Sequence, residues 1–183
     1  MKETLIINLF GAPGSGKSTT MAGVFAKLKA RGYDCEMVTE FAKDLVWEKR
    51  EETFKDELYI FAKQAHRLFR VNGKVDIIIT DRPLLATVLF NNLYGKKSKN
   101  LDNLVIEEFN SYNNINFLIE RVGDYQSNGR NENEDDSNRM QIMTEGILQD
   151  LGLIYHKVKA DEKAVDIISD AIEIIWLVKY KNK

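Results

Sequence analysis

An eight-residue stretch near the start of the sequence constrains the fold of this chain more than any other feature. Residues 11–18 are GAPGSGKS, and they match the pattern G-x-x-x-x-G-K-[ST] at each fixed position. An apolar, strand-like run precedes them, and the segment that follows places Met21, Val24 and Leu28 at helical spacing. This context predicts a loop that binds phosphate between the first strand and the first helix of an α/β fold.

The residues of this loop have separate predicted tasks. Gly11, Gly14 and Gly16 allow backbone conformations that aim N–H groups at phosphate oxygens, and the next helix adds the partial positive charge of its amino end. Lys17 is expected to reach the β- and γ-phosphates, and the Ser18 hydroxyl is expected to bind Mg²⁺. The predicted ATP-binding residues are Gly11, Ala12, Pro13, Gly14, Ser15, Gly16, Lys17, Ser18 and Thr19.

The rest of the sequence alternates between strand-like and helix-like segments. The apolar, strand-like runs are 4–10, 35–41, 75–81, 115–121 and 153–160. Most of them are continuously apolar, which is typical of strands buried on both faces. Apolar residues recur at three-to-four spacing, as in helices, in 56–72, 140–151 and 164–175. The alternation predicts a parallel sheet with helices on both of its faces.

Length and composition exclude several classes. A chain of 183 residues with 44% hydrophobic residues is predicted to form one domain, residues 1–183. The formal net charge of −2 gives no general attraction to nucleic acid or anionic membrane. A single cysteine excludes an internal disulfide, two isolated histidines argue against zinc, and the first apolar run is too short for a signal peptide or membrane span. We therefore predict a soluble cytoplasmic protein with no membrane partner; its oligomeric state stays open, a homodimer included.

Three classes of protein use such a phosphate-binding loop: kinases, GTPase switches and ATPase motors. A GTPase is expected to carry N-K-x-D after a late strand, whereas this chain has KVKADEK at 157–163. An AAA+ motor is expected to need more chain and an additional helical domain. Kinases of nucleosides and nucleotides fit the length, and they place an acidic residue and an arginine after the third strand, where this chain has Asp81 and Arg82.

Charged residues at two strand ends are candidates for the chemistry. Asp81 and Glu40 end the third and second predicted strands, at the carboxyl edge of the sheet where ligands bind. Either could be the general base, and Asp81 could also hold the Mg²⁺ shell. The structural alternative for Asp81 is that it caps a helix that Pro83 begins. The structural alternative for Glu40 is that it is an exposed residue at the start of a helix. Arg82 is predicted to bind a phosphate, with a surface salt bridge as its alternative.

Two further residues are predicted to contact the acceptor. Gln64 and Arg67 lie one turn apart on the helix before the third strand and so share a face. A glutamine can bind the edge of a base through its donor and acceptor together. The alternative for this pair is an ordinary helix surface.

Five segments in this order carry a family resemblance. They are GAPGSGKST at 11–19, VTEFAKDLVW at 38–47, the glutamine-bearing helix, TDRPLL at 80–85 and FLIERVGDYQSNGR at 117–130. Together they resemble the P-loop kinase-type ATP-binding proteins of bacteriophages. Those are similar to ribosylnicotinamide kinase domains and, more distantly, to thymidylate and deoxynucleoside kinases. Some of the phage proteins phosphorylate 5-hydroxymethyluracil in DNA.

The resemblance implies a P-loop fold of the nucleotide-kinase type, with a five-stranded sheet in the order 2-3-1-4-5 and adenine near 159–161. It also implies a mobile lid at about 122–134, after the fourth strand, with Arg121 and Arg130 as lid arginines that offset charge during transfer. The acidic residues that follow are expected to begin the next helix, with Asp135 or Asp136 as its cap or in its first turn.

The prediction from all of these features is a kinase that uses ATP and Mg²⁺. Its acceptor would be a hydroxyl of a nucleoside-like molecule, a nucleotide or a DNA base, most narrowly 5-hydroxymethyluracil in phage DNA within the host cytoplasm. Free nucleosides, deoxynucleotides and ribosylnicotinamide remain open, and the chain lacks the cationic tract expected of a DNA kinase. The alternative from another class is a regulatory module that binds ATP without transferring phosphate.

Overall fold

The computed structural model describes residues 3–180. Its strands are β1 (Leu5–Phe10), β2 (Cys35–Val38), β3 (Ile77–Thr80), β4 (Asn113–Glu120) and β5 (His156–Lys159). Its helices are α1 (Lys17–Ala30), α2 (Ala42–Trp47), α3 (Glu57–Phe69), α4 (Ala86–Leu93), α5 (Lys99–Asn110), α6 (Glu134–Asp150) and α7 (Ala164–Tyr180), and a 3₁₀ helix spans Glu51–Lys55. All five predicted strands are present, each within about three residues of its predicted bounds.

The five strands form one parallel sheet in the order β2-β3-β1-β4-β5, which confirms the predicted order. Because all strands run the same way, their carboxyl ends lie at one edge of the sheet. The loop after β1 leaves the middle of that edge, and the chain after β2 and after β3 leaves it on one side. The phosphate-binding loop and both strand-end carboxylates therefore meet at this edge.

Alternate residues of β1 enter two separate cores, as the prediction of helices on both faces requires. Leu5, Ile7 and Leu9 pack with residues of α1 and α7, whereas Ile6 and Phe10 pack with residues of α3, α5 and α6. All five side chains are at most 3% exposed. Burying each such side chain contributes about 1.5–3 kcal/mol, so the central strand is firmly held.

The helix after β3 begins later than predicted. Pro83 does not lie in its first turn, because α4 starts at Ala86. The N–H groups of Ala86 and Thr87 instead bond three residues back, to Pro83 O and Leu84 O, at 3.0 Å each. The two residues before Pro83 therefore lie outside the helix. Proline disfavours helical conformation in the residue directly before it, which here is Arg82.

One helix between β3 and β4 was not among the predicted helices. Ser98 caps α5 by accepting a hydrogen bond from Leu101 N at 3.3 Å, and Leu101, Val105 and Phe109 are buried at four-residue spacing. These two signals, an N-cap serine and a helical apolar spacing, are present in the sequence and predict the helix once they are combined.

Candidate functional site

The phosphate-binding loop follows β1 and ends at Gly16, where α1 begins. Gly14 and Gly16 have φ of 79° and 92°, a region that other residues seldom adopt. A Cβ at Gly16 would lie 2.7 Å from Ala160 Cβ, so the segment after β5 passes directly beside the loop. The predicted residues that line the adjoining cleft are Gly11, Pro13, Gly14, Gly16, Lys17, Ser18 and Thr19, while Ala12 and Ser15 are buried.

Helix α6 holds the loop in place through contacts that the sequence did not suggest. The N–H of Ala12 donates to Gln141 Oε1 at 2.7 Å, and Gln141 Nε2 donates to the carbonyl of Ile119 at 3.2 Å. The Ser137 hydroxyl donates to Pro13 O at 2.7 Å. Gln141 therefore connects the loop to β4, and the helix that follows the predicted lid is bonded to the loop that the lid would cover.

Lys17 is the basic residue of the loop. Its ammonium donates to the carbonyl of Ala12 at 2.7 Å. Burial lowers the pKa of Lys17 from its usual value, and the nearby Glu40 and Asp81 carboxylates oppose that shift. A partly desolvated ammonium interacts strongly with phosphate, because little water screens its charge.

Asp81 joins the loop to the segment after β2. It is 4% exposed; Ser18 Oγ donates to its Oδ2 at 2.6 Å, and the N–H of Glu40 donates to its Oδ1 at 3.1 Å. Helix α4 has no side-chain cap, so the alternative of Asp81 as a helix cap does not describe this structure. The carboxylate instead links α1 to the backbone that carries Glu40.

The Ser18 and Asp81 oxygens fit a magnesium ion. Mg²⁺ prefers hard oxygen ligands and takes few of them from the protein, with water and phosphate oxygens filling the other positions. A hydroxyl and a carboxylate 2.6 Å apart beside the loop provide such a donor set. No group of three or more His, Cys, Asp or Glu side chains placed to hold a metal occurs among residues 3–180.

Arg82 and Glu40 form a partly buried pair on the other side of Asp81. One guanidinium nitrogen of Arg82 donates to Glu40 Oε1 at 2.9 Å, and the guanidinium lies 4.1 Å from the centre of the Phe90 ring. Arg82 is 6% exposed, so it does not form the surface salt bridge that the sequence left as an alternative. Glu40 lies two residues beyond β2, not within the strand.

Glu57, which sequence reasoning missed, also lines the cleft. It is the first residue of α3, is 3% exposed, and has its Oε2 3.8 Å from a terminal nitrogen of Arg82. Burial raises the pKa of Glu57 to about 7, although Arg82 opposes that shift. Nothing in the local sequence distinguishes it from an ordinary acidic residue in a first helical turn, because its burial comes from distant segments.

The structure uses Gln64 and Arg67 differently from the prediction. Both ends of the buried Gln64 amide bond to backbone: Oε1 accepts from Phe41 N at 2.9 Å, and Nε2 donates to Thr39 O at 3.3 Å. Arg67 donates to the same Thr39 carbonyl at 3.2 Å. The two side chains hold the segment that carries Glu40, and neither is part of the cleft lining.

The cleft has a volume of about 240 Å³. The phosphate-binding loop lines one part of the cleft, and Glu40, Glu57 and Arg82 line another, with Glu40 close enough to Lys17 for its charge to oppose the lowering of the Lys17 pKa. Its apolar walls include Val46, Phe54, Leu89 and Phe90, and residues 128–132 of the predicted lid line it from above. One cleft therefore brings together the predicted nucleotide residues, both candidate carboxylates and one of the two predicted lid arginines.

The chain between β4 and α6, the predicted lid, lies against the phosphate-binding loop. A Cβ at Gly14 would lie 2.7 Å from Cε2 of Tyr125, which places this aromatic ring directly over the loop. At the far end, a Cβ at Gly129 would lie 2.9 Å from Cζ2 of Trp47 on α2. The segment thus spans from the loop to α2, across the cleft.

The two predicted lid arginines have different surroundings. Arg130 lines the cleft, with its guanidinium 5.7 Å from the centre of the Tyr125 ring. Arg121 instead donates to Asn138 at 2.7 Å and pairs with Glu134 at 3.0 Å, both on α6, and it is not among the residues that line the cleft.

Helix α6 begins with its own capping arrangement. It starts at Glu134, one residue inside the predicted lid. Asp135 and Asp136 lie in the first turn, which was one of the two predicted positions, and the cap is Asn133, whose side chain accepts from Asp136 N at 2.8 Å. An uncharged amide can cap a helix as well as aspartate. The acidic residues occupy the first turn, where negative charge is favourable, as expected.

Comparison with protein families gives a match over most of the chain. A family model described as an AAA domain matches residues 6–164. The chain belongs to this AAA domain family. The abbreviation AAA also occurs in the name of the AAA+ motors, a class that the sequence argued against. After β5, residues 3–180 contain only α7 and no additional helical domain.

Two solved structures are similar to this member of the AAA domain family. The NadR protein in complex with NR has a TM-score of 0.72 and 18% identity, over 93% of this chain and 51% of that chain, so this chain spans about half the length of NadR. Deoxyadenosine kinase from M. mycoides, with products dCMP and dCDP bound, has a TM-score of 0.59 and 19% identity, over 92% of this chain and 99% of that chain. At these identities, the likenesses establish a P-loop kinase type of fold and no more.

One further comparison gave a negative result. The search of curated proteins found no match. Nothing in the matched family or the two structures refers to a phage protein or to a DNA base as acceptor. Within residues 3–180, no helix has the length and apolar character needed to cross a bilayer.

Proposed function

We propose that this protein is a kinase that transfers the γ-phosphoryl group of ATP to an acceptor hydroxyl. One observation carries the proposal: Ser18, Asp81, Glu40 and Arg82 form a continuous chain of contacts from the phosphate-binding loop to the far end of the cleft. Such a chain fixes a phosphate donor and an acceptor relative to each other, and positioning is the main requirement of phosphoryl transfer. The kinase type of fold supports the same conclusion.

The proposed step is an in-line displacement. The acceptor oxygen forms a bond to the γ-phosphorus while the bond from that phosphorus to the β,γ-bridging oxygen breaks, and ADP leaves. Glu40 accepts the proton of the acceptor hydroxyl, which its position beside Arg82 at the acceptor end of the cleft supports. Ser18 and Asp81 would hold Mg²⁺, which supplies positive charge to the phosphate oxygens when bound.

Basic residues from two sides offset the charge of the transferred group in this proposal. Lys17 acts from the loop, and Arg130 acts from the segment above it. We propose that residues 122–133 are a lid that excludes water during transfer, which their position from Tyr125 over the loop to Gly129 against Trp47 supports. Arg121 then orients the start of α6 rather than acting on phosphate.

The acceptor is proposed as a class. The NadR structure contains NR and the deoxyadenosine kinase structure contains dCMP and dCDP, so ribosylnicotinamide, nucleosides and deoxynucleotides are the first acceptors to test. We keep 5-hydroxymethyluracil in DNA as the narrowest acceptor because of the sequence resemblance alone.

The proposal is tested with ATP labelled at the γ-phosphate. The acceptors are nucleosides, mononucleotides, ribosylnicotinamide, plain DNA and DNA that contains 5-hydroxymethyluracil. We expect label on at least one compound and ADP release that depends on it. If the protein binds ATP but labels none of them, the regulatory module becomes the better explanation. Label on free nucleosides only would exclude the DNA acceptor.

Replacing Arg130 by alanine is expected to lower kcat about 10–100-fold and to change the affinity for ATP less than threefold. The physical reason is that an arginine brought over the phosphates stabilises charge that develops only in the transition state. Single-turnover rates and equilibrium binding of ATP separate the two effects.

The control for Arg130 is Arg139→Ala. Arg139 is exposed on α6, where it pairs with Asp136 outside the cleft lining. It should behave like the unmodified protein. An unchanged kcat in Arg130→Ala would show that the segment is an inert surface loop.

A further inference from the structure

Glu57 has no role in the mechanism proposed above, yet it occupies a prominent position. It lines the cleft on one side, and on its other side it lines a second cavity of about 310 Å³. That cavity lies between the start of α3 and the loop from α4 to α5, where Lys96 and Ser98 border it. Glu57 is therefore a buried carboxylate in the wall between two open spaces.

Two polar atoms where Glu57 and Arg82 meet lack a hydrogen-bond partner within residues 3–180. They are Glu57 Oε2 and one terminal nitrogen of Arg82. The two atoms are 3.8 Å apart, too far to bond to each other. Leaving a buried polar atom unpaired is costly, so such atoms mark places that a ligand or water completes.

The spacing of these atoms suits one hydroxyl group. An oxygen about 2.8 Å from each of them fits between two atoms separated by 3.8 Å. Such a hydroxyl would accept a hydrogen bond from Arg82 and donate one to Glu57. Because the other side of Arg82 is already bonded to Glu40, this hydroxyl is distinct from the one that Glu40 would deprotonate.

The charges around Arg82 oppose a phosphate at the same place. One guanidinium lies between two carboxylates, at 2.9 Å from Glu40 and 3.8 Å from Glu57. A phosphate group in this position would face the Glu57 carboxylate across a poorly screened gap, and like charges there repel strongly. Phe54 and Phe90 also line the cleft and add no positive charge; its basic lining residues besides Arg82 are Lys17, Lys43 and Arg130.

We propose that Glu57 is a specificity-determining residue, which with Arg82 binds an unreacting hydroxyl of the acceptor and disfavours acceptors that carry a phosphate there. The proposal rests on the kinase function proposed above and deepens it by naming the class of acceptor. The favoured class is an unphosphorylated, nucleoside-like molecule with at least two hydroxyl groups, so among the acceptors named above this proposal disfavours mononucleotides and 5-hydroxymethyluracil in DNA.

The test measures binding separately from transfer. Each of the three probe pairs keeps the 5′ hydroxyl free and differs only by a phosphate on the sugar's 3′ hydroxyl: thymidine and its 3′-monophosphate, deoxyadenosine and its 3′-monophosphate, and ribosylnicotinamide and its 3′-monophosphate. Calorimetry is done on the full chain with Mg²⁺ and a non-hydrolysable ATP analogue. For at least one pair, the unmodified protein should bind the unphosphorylated member at least tenfold more tightly. Glu57→Gln should reduce that ratio at least fivefold.

A control and a second variant protect the interpretation. Glu51→Gln changes an exposed carboxylate of the nearby 3₁₀ helix and should leave the ratio unchanged. Glu57→Gln conserves size and removes a buried charge, so we expect it to fold. Should it not fold, Glu57→Ala, checked by circular dichroism, must show the same reduction in the ratio.

A pH series gives a readout that a purely structural role would not move. Burial raises the pKa of Glu57 to about 7, so its negative charge develops as the pH rises from about 6 to about 8. The ratio should grow over this interval in the unmodified protein. In Glu57→Gln only the change due to the phosphate group itself, whose second pKa is about 6, should remain. The charged groups that act on Glu57 are Arg82, Glu40 and Asp56, with Lys55 and Lys96 around the second cavity. The other charged residues that line the cleft are Lys17, Lys43, Asp81, Arg130 and Glu132.

The outcomes separate this proposal from the kinase function. Equal binding of both members of every pair, no binding of any unphosphorylated member, or a ratio unchanged by Glu57→Gln would overturn the role of Glu57. Transfer to an acceptor together with an unchanged ratio would leave the kinase function intact. Conversely, compounds that bind with the expected ratio but never receive phosphate would refute the kinase and retain the Glu57 site.

Discussion

Replacing Lys17 by methionine is expected to lower kcat/KM for phosphoryl transfer by roughly 10²–10³-fold. The ammonium is the fixed positive charge of the phosphate-binding loop, and burial leaves little water to screen it. Methionine keeps most of the apolar stem and removes the charge, so the loop should retain its shape. Steady-state kinetics with the acceptor found in the labelling experiment measure the loss.

The same substitution should not destabilise the ATP-free protein. Burial lowers the folded-state pKa of Lys17, so the unfolded chain binds this proton more readily than the folded one. The resulting penalty is fully present below the folded pKa and disappears as the pH rises towards the unfolded pKa. Lys17→Met removes the penalty, and we expect an equal or higher melting temperature at neutral pH without ATP.

Lys29→Met is the matched control, because Lys29 is exposed near the end of the same helix, α1. It should leave both kcat/KM and the melting temperature unchanged. A Lys17→Met protein with nearly full activity would contradict the phosphate-binding role, and one that melts much lower would contradict the account of burial.

Replacing Glu40 by glutamine is expected to lower kcat about 10²–10⁴-fold, the usual contribution of a positioned general base. Glutamine can still accept the hydrogen bond from Arg82, so the pair should stay in place. ATP binding should change little, because the Glu40 carboxylate bonds to Arg82 and not to a residue of the phosphate-binding loop.

Asp81→Asn provides the comparison that divides the two carboxylate roles. Asp81 accepts from Ser18 Oγ, so its loss should weaken Mg²⁺ binding, and raised Mg²⁺ should recover part of the activity. Glu40→Gln should not respond to Mg²⁺. The reverse pattern, with Mg²⁺ rescuing Glu40→Gln and not Asp81→Asn, would exchange the two assignments. Glu36→Gln, on the exposed side of β2, is the control.

The features that sequence analysis predicted correctly depend on short stretches of chain. The phosphate-binding loop is encoded in residues 11–18, where three glycines, the lysine and the flanking strand and helix are all local. The continuous apolar runs predicted the strands, because a parallel sheet covered on both faces needs apolar side chains at nearly every position. The strand order followed from the family resemblance, and the structure confirms it.

The surroundings of the predicted acceptor residues depend instead on distant contacts. Gln64 and Arg67 share a helix face, as predicted, but that face packs on the backbone after β2, 23 to 28 residues earlier in the chain. Spacing along a helix shows which side chains are neighbours, and it carries no information on which segment covers them. The same limit explains why the prediction omitted Glu57.

The sequence by itself determined that this chain has a phosphate-binding loop at the carboxyl edge of a parallel sheet, with carboxylates at two neighbouring strand ends. Its local patterns suffice because each depends on residues a few positions apart. Only the tertiary structure decided which side chains share the cleft. Arg82 contacts Glu40 and Glu57, which belong to separate segments of the chain. Arg130 lines the cleft, whereas Arg121 bonds to α6. Those arrangements depend on how α3, α6 and the chain after β2 pack together. That packing depends on contacts between residues far apart in the sequence, which local patterns do not describe.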